Sequence, residues 1–181
     1  MLQWLGSDSF GRRMGIDTND LVDRIAGFLR SVGIAVIERE LADGTFLPGV
    51  LIEAGTLVVD RSRLRWPGDL LHEAGHLAVM PATLRSSLSD ALDGEISAPH
   101  AGEVEATAWA FAACVALGID ASLLFHGGGY HGHSQGLVMT YTLGVYPGSA
   151  GLASAGLTRI GAEARKDGVA PYPHMIRWLR D

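Results

Sequence analysis

Residues 70–80 read LLHEAGHLAVM, and within them His72, Glu73 and His76 have the types and spacing for metal chemistry. Side chains four apart on a helix lie on one face, a turn apart. His72 and His76 can therefore present two imidazole nitrogens to one ion. Glu73 stands beside them, placed to take a proton from a water that the ion has made acidic. The bland alternative is a helix surface with two solvated histidines. It is disfavoured by the rest of the stretch, where Leu70, Leu71, Ala74, Leu77 and Ala78 form an apolar stripe and the three polar side chains are expected on the opposite side.

Imidazole nitrogens with a carboxylate suit zinc, which in catalytic sites takes three protein ligands and leaves one position for water. A continuation of metzincin type needs glycine at 79 and histidine at 82, where this chain has Val79 and Ala82. A glutamate from a later helix is the other known solution, and GEVEATAWAFAAC offers Glu103 and Glu105. Two residues apart on a helix, they face different ways, so at most one ligates. Glu103 shares its face with Thr107, Ala110 and Cys114, small residues that let helices approach closely, but the segment is apolar nearly all round. Periodicity leans to Glu103 and leaves Glu105 open. Cys114 is the single cysteine, so neither an intramolecular disulfide nor a cysteine-based zinc cluster can form.

RSRLRWPGDLLHEAGHLAVM followed by EVEATAWAFAAC resembles the ImmA/IrrE-like zinc metallopeptidases, which are small gluzincins. Their pattern is an arginine-containing lead-in, HExxH, and a helix of the form E-x-E-A-(N/D)-x-F-A-A; the resemblance covers about residues 50–117. It implies His72, His76 and Glu103 as zinc ligands and Glu73 as general base. It also implies a zincin-like fold. Thr107 stands where the family usually has Asn or Asp supporting a zinc-bound histidine, and a hydroxyl does this more weakly than a carboxylate. The helix-turn-helix module that often accompanies such domains is not seen in the sequence.

FHGGGYHGHSQG, at 125–136, gathers His126, Tyr130, His131 and His133. A zinc peptidase needs a donor aimed at the oxyanion of its tetrahedral intermediate. The expectation is that Tyr130, with His126 or a neighbour, lines the cleft as that donor. A second metal site on His131 and His133 is a rival reading, and an exposed loop without a specific role is another. His100 reads as a capping or surface residue, and Cys114 as a small buried hydrophobe.

The elements that must position these groups follow from patterning. Thr18 followed by NDLVDRIAGFLRSVG predicts a capped amphipathic helix ending near Gly33. IAVIERE and VLIEAGTLVVDR predict a small antiparallel or mixed sheet, a hairpin turning at Ala54-Gly55 plus one more strand. Trp66-Pro67-Gly68-Asp69 opens the HExxH helix, which stops at Pro81. Residues 81–100 are a polar connection with one short helical turn around 87–92. The glutamate helix spans about 102–117 and ends at Gly118. Short helices follow, and the aromatic PYPHMIRWLRD should dock on the body.

At 181 residues, 48% hydrophobic and 19% charged, the chain reads as one α+β domain over 1–181. A net charge of −6 argues against a nucleic-acid partner. The arginines at 12, 13, 61, 63 and 65 read as solvated loop charge. The beginning MLQWLGSDSF lacks the features of a signal peptide, and the longest apolar run, 106–119, is too short for a bilayer, so a cytoplasmic protein without membrane partners is expected. The expected activity is zinc-dependent hydrolysis of peptide bonds in a peptide or protein substrate, with Glu73 as base. The alternative is a zinc-stabilised binding or regulatory module of the same fold without catalysis.

Overall fold

The computed structural model describes residues 17–89 and 102–181. Helix α1, Thr18–Ser31, is capped by Asp17, whose carboxylate accepts the Asn19 N–H at 2.8 Å. The cap is thus one residue before the expected Thr18, because the Asp17 carboxylate reaches the second helical N–H. Leu21, Val22, Ile25, Ala26 and Leu29 form its buried stripe.

Three strands follow: β1 (Val36–Glu38), β2 (Val50–Glu53) and β3 (Thr56–Val59). β2 and β3 make the expected hairpin, with Glu53 opposite Thr56 and positive φ at both Ala54 (46°) and Gly55 (77°). Two consecutive left-handed residues make the tight turn whose twist matches that of the strands. β1 lies parallel to β3, giving a mixed sheet in the order β1-β3-β2. The central strand is buried on both faces. Leu57 and Val59 join the main core with Val50 and Ile52, while Val58 meets Leu51 and Leu41 on the other side.

That sheet packs on helix α2, Gly68–Val79. Apolar residues occupy its expected stripe, but its opposite side is not a solvated face: Glu73 is 7% and His76 4% exposed. The covering element is α4, Glu103–Leu117, which is buried continuously from Ala106 to Cys114 and ends at left-handed Gly118. Between them α3, Ala82–Arg85, places the short helix earlier than expected, and 90–92 lie outside the described residues, as do His100, Arg12 and Arg13. Arg85 turns back to donate to the carbonyls of Leu77 (2.9 Å), Met80 (3.2 Å) and Arg180 (2.6 Å), satisfying the open end of α2.

The remaining α-helices are α5 (Ala121–Leu124), α6 (Ser134–Thr142), α7 (Ser149–Ser154) and α8 (Gly161–Asp167), with a 3-10 turn at Tyr130–Gly132. The C-terminal segment docks as its aromatic content suggests. Trp109 donates its indole N–H to the Trp178 carbonyl (2.8 Å), and the Tyr172 hydroxyl donates to the Ala108 carbonyl (2.8 Å). Eight α-helices and one three-stranded mixed sheet among the described residues make the α+β class plain. None of these helices is long and apolar enough to cross a membrane. Arg61 and Arg63 are not merely solvated, since Arg61 pairs with Glu38 and Asp23, and Arg63 with Asp43 and Asp60.

Candidate metal centre

The site begins with the crossing of α2 and α4. Gly75 has no side chain, and the Ala106 carbonyl oxygen fills the space: a Cβ on Gly75 would lie 2.5 Å from it. This contact brings the first turn of α4 over the histidines. Glu103, three residues before Ala106, then reaches both. Its Oε1 lies 3.3 Å from His72 Nε2 and its Oε2 3.3 Å from His76 Nε2. The two Nε2 atoms are themselves 3.3 Å apart.

These separations suit zinc. Two donors about 2.1 Å from an ion and subtending a tetrahedral angle stand about 3.4 Å apart. Among the described residues, His72, His76 and Glu103 are the group able to hold an ion, and no second such group is found. Among the described residues, His131 and His133 are exposed and belong to no such group. Glu105 faces elsewhere: a Cβ on Gly151 of α7 would sit 2.2 Å from its Oε1. The choice that periodicity left open falls to Glu103.

The electrostatics agree with the donor set. The hydrogen bond from His72, then that from His76, hold the Glu103 carboxyl far below the usual carboxylate range. Burial works against charge on His72, yet the Glu103 hydrogen bond and the charges of Glu73, Glu103 and Asp69 outweigh it, so the imidazole titrates above its ordinary value. Glu73, Glu103 and Asp69 thus all favour positive charge at His72. The centre is also open on one side, the Glu103 side chain being 55% and that of His72 15% exposed, against 5% for His76.

The glycine-rich loop reaches this centre through two different residues. His126 is buried, accepts the Gly128 N–H at Nδ1 (3.2 Å) and so carries its proton on Nε2, which donates to Asp69 Oδ1 at 2.7 Å. Its ring stacks on Trp66 with 4.6 Å between centroids and 7° between planes. With both nitrogens engaged, His126 anchors the loop and has no hydrogen left for an oxyanion. A Cβ on Gly128 would lie 2.5 Å from the Trp66 ring, so only glycine fits that turn. Ser134 closes the loop by donating to the His126 carbonyl at 2.6 Å.

Tyr130 stands with φ +58° and His131 with φ +49°, left-handed conformations that cost non-glycine residues about 1–2 kcal/mol each. The Tyr130 hydroxyl lies 3.5 Å from His72 Nδ1, and its ring meets the His72 ring edge-on at 5.8 Å. Burial, then the charges of Asp69 and Glu103, push its phenol above the ordinary value, so it remains a hydroxyl. Cys114, 1% exposed and with its thiol pushed up to about 12 by burial, is a core residue.

Three residues that the sequence did not assign to the site help to build it: Gly75, Trp66 and Asp69. The spacing of Asp69 from His72, three residues on one helix, was the available signal for the last. Comparison of the chain with models of known protein families, with curated proteins and with solved structures found no match.

Proposed function

We propose that this protein is a zinc-dependent peptidase of the small gluzincin type, with His72, His76 and Glu103 as metal ligands and Glu73 as general base. The observation that carries the reading is the convergence of two Nε2 atoms and one carboxylate at 3.3 Å spacings. The resemblance of RSRLRWPGDLLHEAGHLAVM and EVEATAWAFAAC to the ImmA/IrrE-like metallopeptidases supports it, as does a sheet packed on the helix that carries the motif. Zinc held there would supply a Lewis acid that polarises the scissile carbonyl and makes water acidic.

The chain's own residues supply the rest. Glu73, buried next to His72, takes the proton of the attacking water and delivers it to the leaving amine. The exposed flank at Glu103 and His72 admits the substrate. β1 and β2 are the outer strands of the three-stranded sheet, and an extended peptide can add to such an edge through backbone hydrogen bonds. A peptide or protein substrate fits this arrangement better than a compact small molecule.

A non-catalytic zinc module would keep the ligands but gain nothing from a buried glutamate beside them. Elemental analysis of the purified protein should give about one zinc per chain, lost in His76→Ala. Glu73→Gln should retain the zinc while peptide hydrolysis falls by about two to four orders of magnitude. Absence of zinc from the wild type after metal is added back would remove the enzyme reading, and a fully active Glu73→Gln would remove the role of Glu73.

A further inference from the structure

We propose that Tyr130 is the positioning residue of His72, accepting the Nδ1–H of the imidazole whose Nε2 binds the metal. The inference rests on the reading of His72, His76 and Glu103 as a metal centre. A histidine bound through Nε2 keeps its proton on Nδ1, and that N–H is held by an acceptor which fixes both tautomer and ring orientation. In this chain the atom at 3.5 Å from His72 Nδ1 is the Tyr130 hydroxyl oxygen.

The loop is built to keep it there. His126 docks on Asp69, three residues before His72 on the same helix, so Tyr130 and His72 are referenced to one rigid element. Ser134 ties the loop from its other end, and Phe125 packs edge-on against the Tyr130 ring at 5.3 Å. The consecutive left-handed residues Tyr130 and His131 would relax to ordinary conformations without this restraint.

The placement also separates two roles for the tyrosine. Nδ1 and Nε2 flank Cε1 and point away from each other, and the hydroxyl stands at Nδ1 while Glu103 and His76 stand at Nε2. A donor to the oxyanion would have to stand on the metal side. Thr107, buried one turn after Glu103 on α4, is the competing support for an imidazole.

Zinc affinity decides between them, measured at neutral pH by competition with a chelating dye on wild type, Tyr130→Phe and Thr107→Val. Phenylalanine keeps the ring and its packing, so the melting temperature of the metal-free variant should match wild type. Its zinc Kd should weaken by about 10- to 100-fold, the usual effect of losing such a partner, while Thr107→Val stays close to wild type. Tyr130→Phe binding zinc as wild type does, or Thr107→Val alone carrying the loss, would overturn the assignment and leave the metal centre standing. A wild type that binds no zinc would overturn both together.

Discussion

Gly75→Ala tests the packing that creates the site, because two effects of opposite sign meet at one atom. In a helix interior, alanine is better than glycine by about 0.5–1 kcal/mol, so on propensity alone the variant should be more stable. The structure reverses this. The new Cβ would lie 2.5 Å from the Ala106 carbonyl oxygen, 3.0 Å from its carbon and 3.1 Å from its Cα. These are backbone atoms of a helix buried from Ala106 to Cys114, and no side chain can rotate out of the way. Restoring a carbon–oxygen separation of about 3.3 Å requires the helices to part by about 0.8 Å. Overpacking of this kind costs about 1–3 kcal/mol. After subtracting the propensity gain, a net loss of up to about 2.5 kcal/mol remains, or up to about 10 °C in melting temperature for a chain of this size.

The larger effect falls on the metal. Ligand distances are tolerated to within about 0.2 Å, so moving Glu103 by several tenths of an ångström leaves two histidines without their third partner. Zinc affinity should fall by more than 100-fold, beyond what loss of an outer hydrogen bond causes. Differential scanning calorimetry in chelator gives the first quantity, and competition titration gives the second. A Gly75→Ala protein that melts higher than wild type and still binds zinc at wild-type affinity would refute the argument that this crossing positions Glu103.

Two further expectations concern the scaffold. Arg85→Ala removes the donor to the Leu77, Met80 and Arg180 carbonyls, and urea denaturation should show a loss of about 1–2 kcal/mol with α2 frayed at its end. Asp60 accepts hydrogen bonds from the Ser62 hydroxyl, the Leu41 N–H and the Ser62 N–H and has Arg63 nearby, which together hold its carboxyl below the ordinary range. A depressed folded pKa contributes stability that is present above the unfolded carboxyl's value, near pH 4, and is lost as pH falls through the folded value. Melting temperatures followed from pH 6 to pH 2 should therefore fall less steeply for Asp60→Asn than for wild type, and parallel curves would exclude this contribution.

The juxtaposition of His72 and His76 was legible because helical spacing is local, and so were the hairpin and both main helix ends. The choice between Glu103 and Glu105 was not, since α4 is buried on every side from Ala106 to Cys114 and its periodicity carries no direction. What decides it is the contact of Gly75 with Ala106, a relation between two helices that neither shows alone. His126 posed a similar problem. Its partner Asp69 lies 57 residues earlier, and that partnership turns it from a candidate donor into an anchor. A polar stripe such as that of α2 likewise states that something polar is needed there, without saying whether water or another helix provides it.

The end of the chain carries a consequence of its own. Trp178 receives the indole of Trp109, Tyr172 reaches the Ala108 carbonyl, and the Arg180 N–H donates to the Ala78 carbonyl at 2.9 Å, two residues beyond His76. The helices that carry His72, His76 and Glu103 are therefore sealed by residues some sixty positions after the last apolar turn of α4. During synthesis the motif leaves the ribosome long before its cover exists. A fragment cut at Leu117 would contain His72, His76 and Glu103, yet expose Trp109 and the tail of α2, so the site depends on residues 172–180 and cannot be transplanted with its motif.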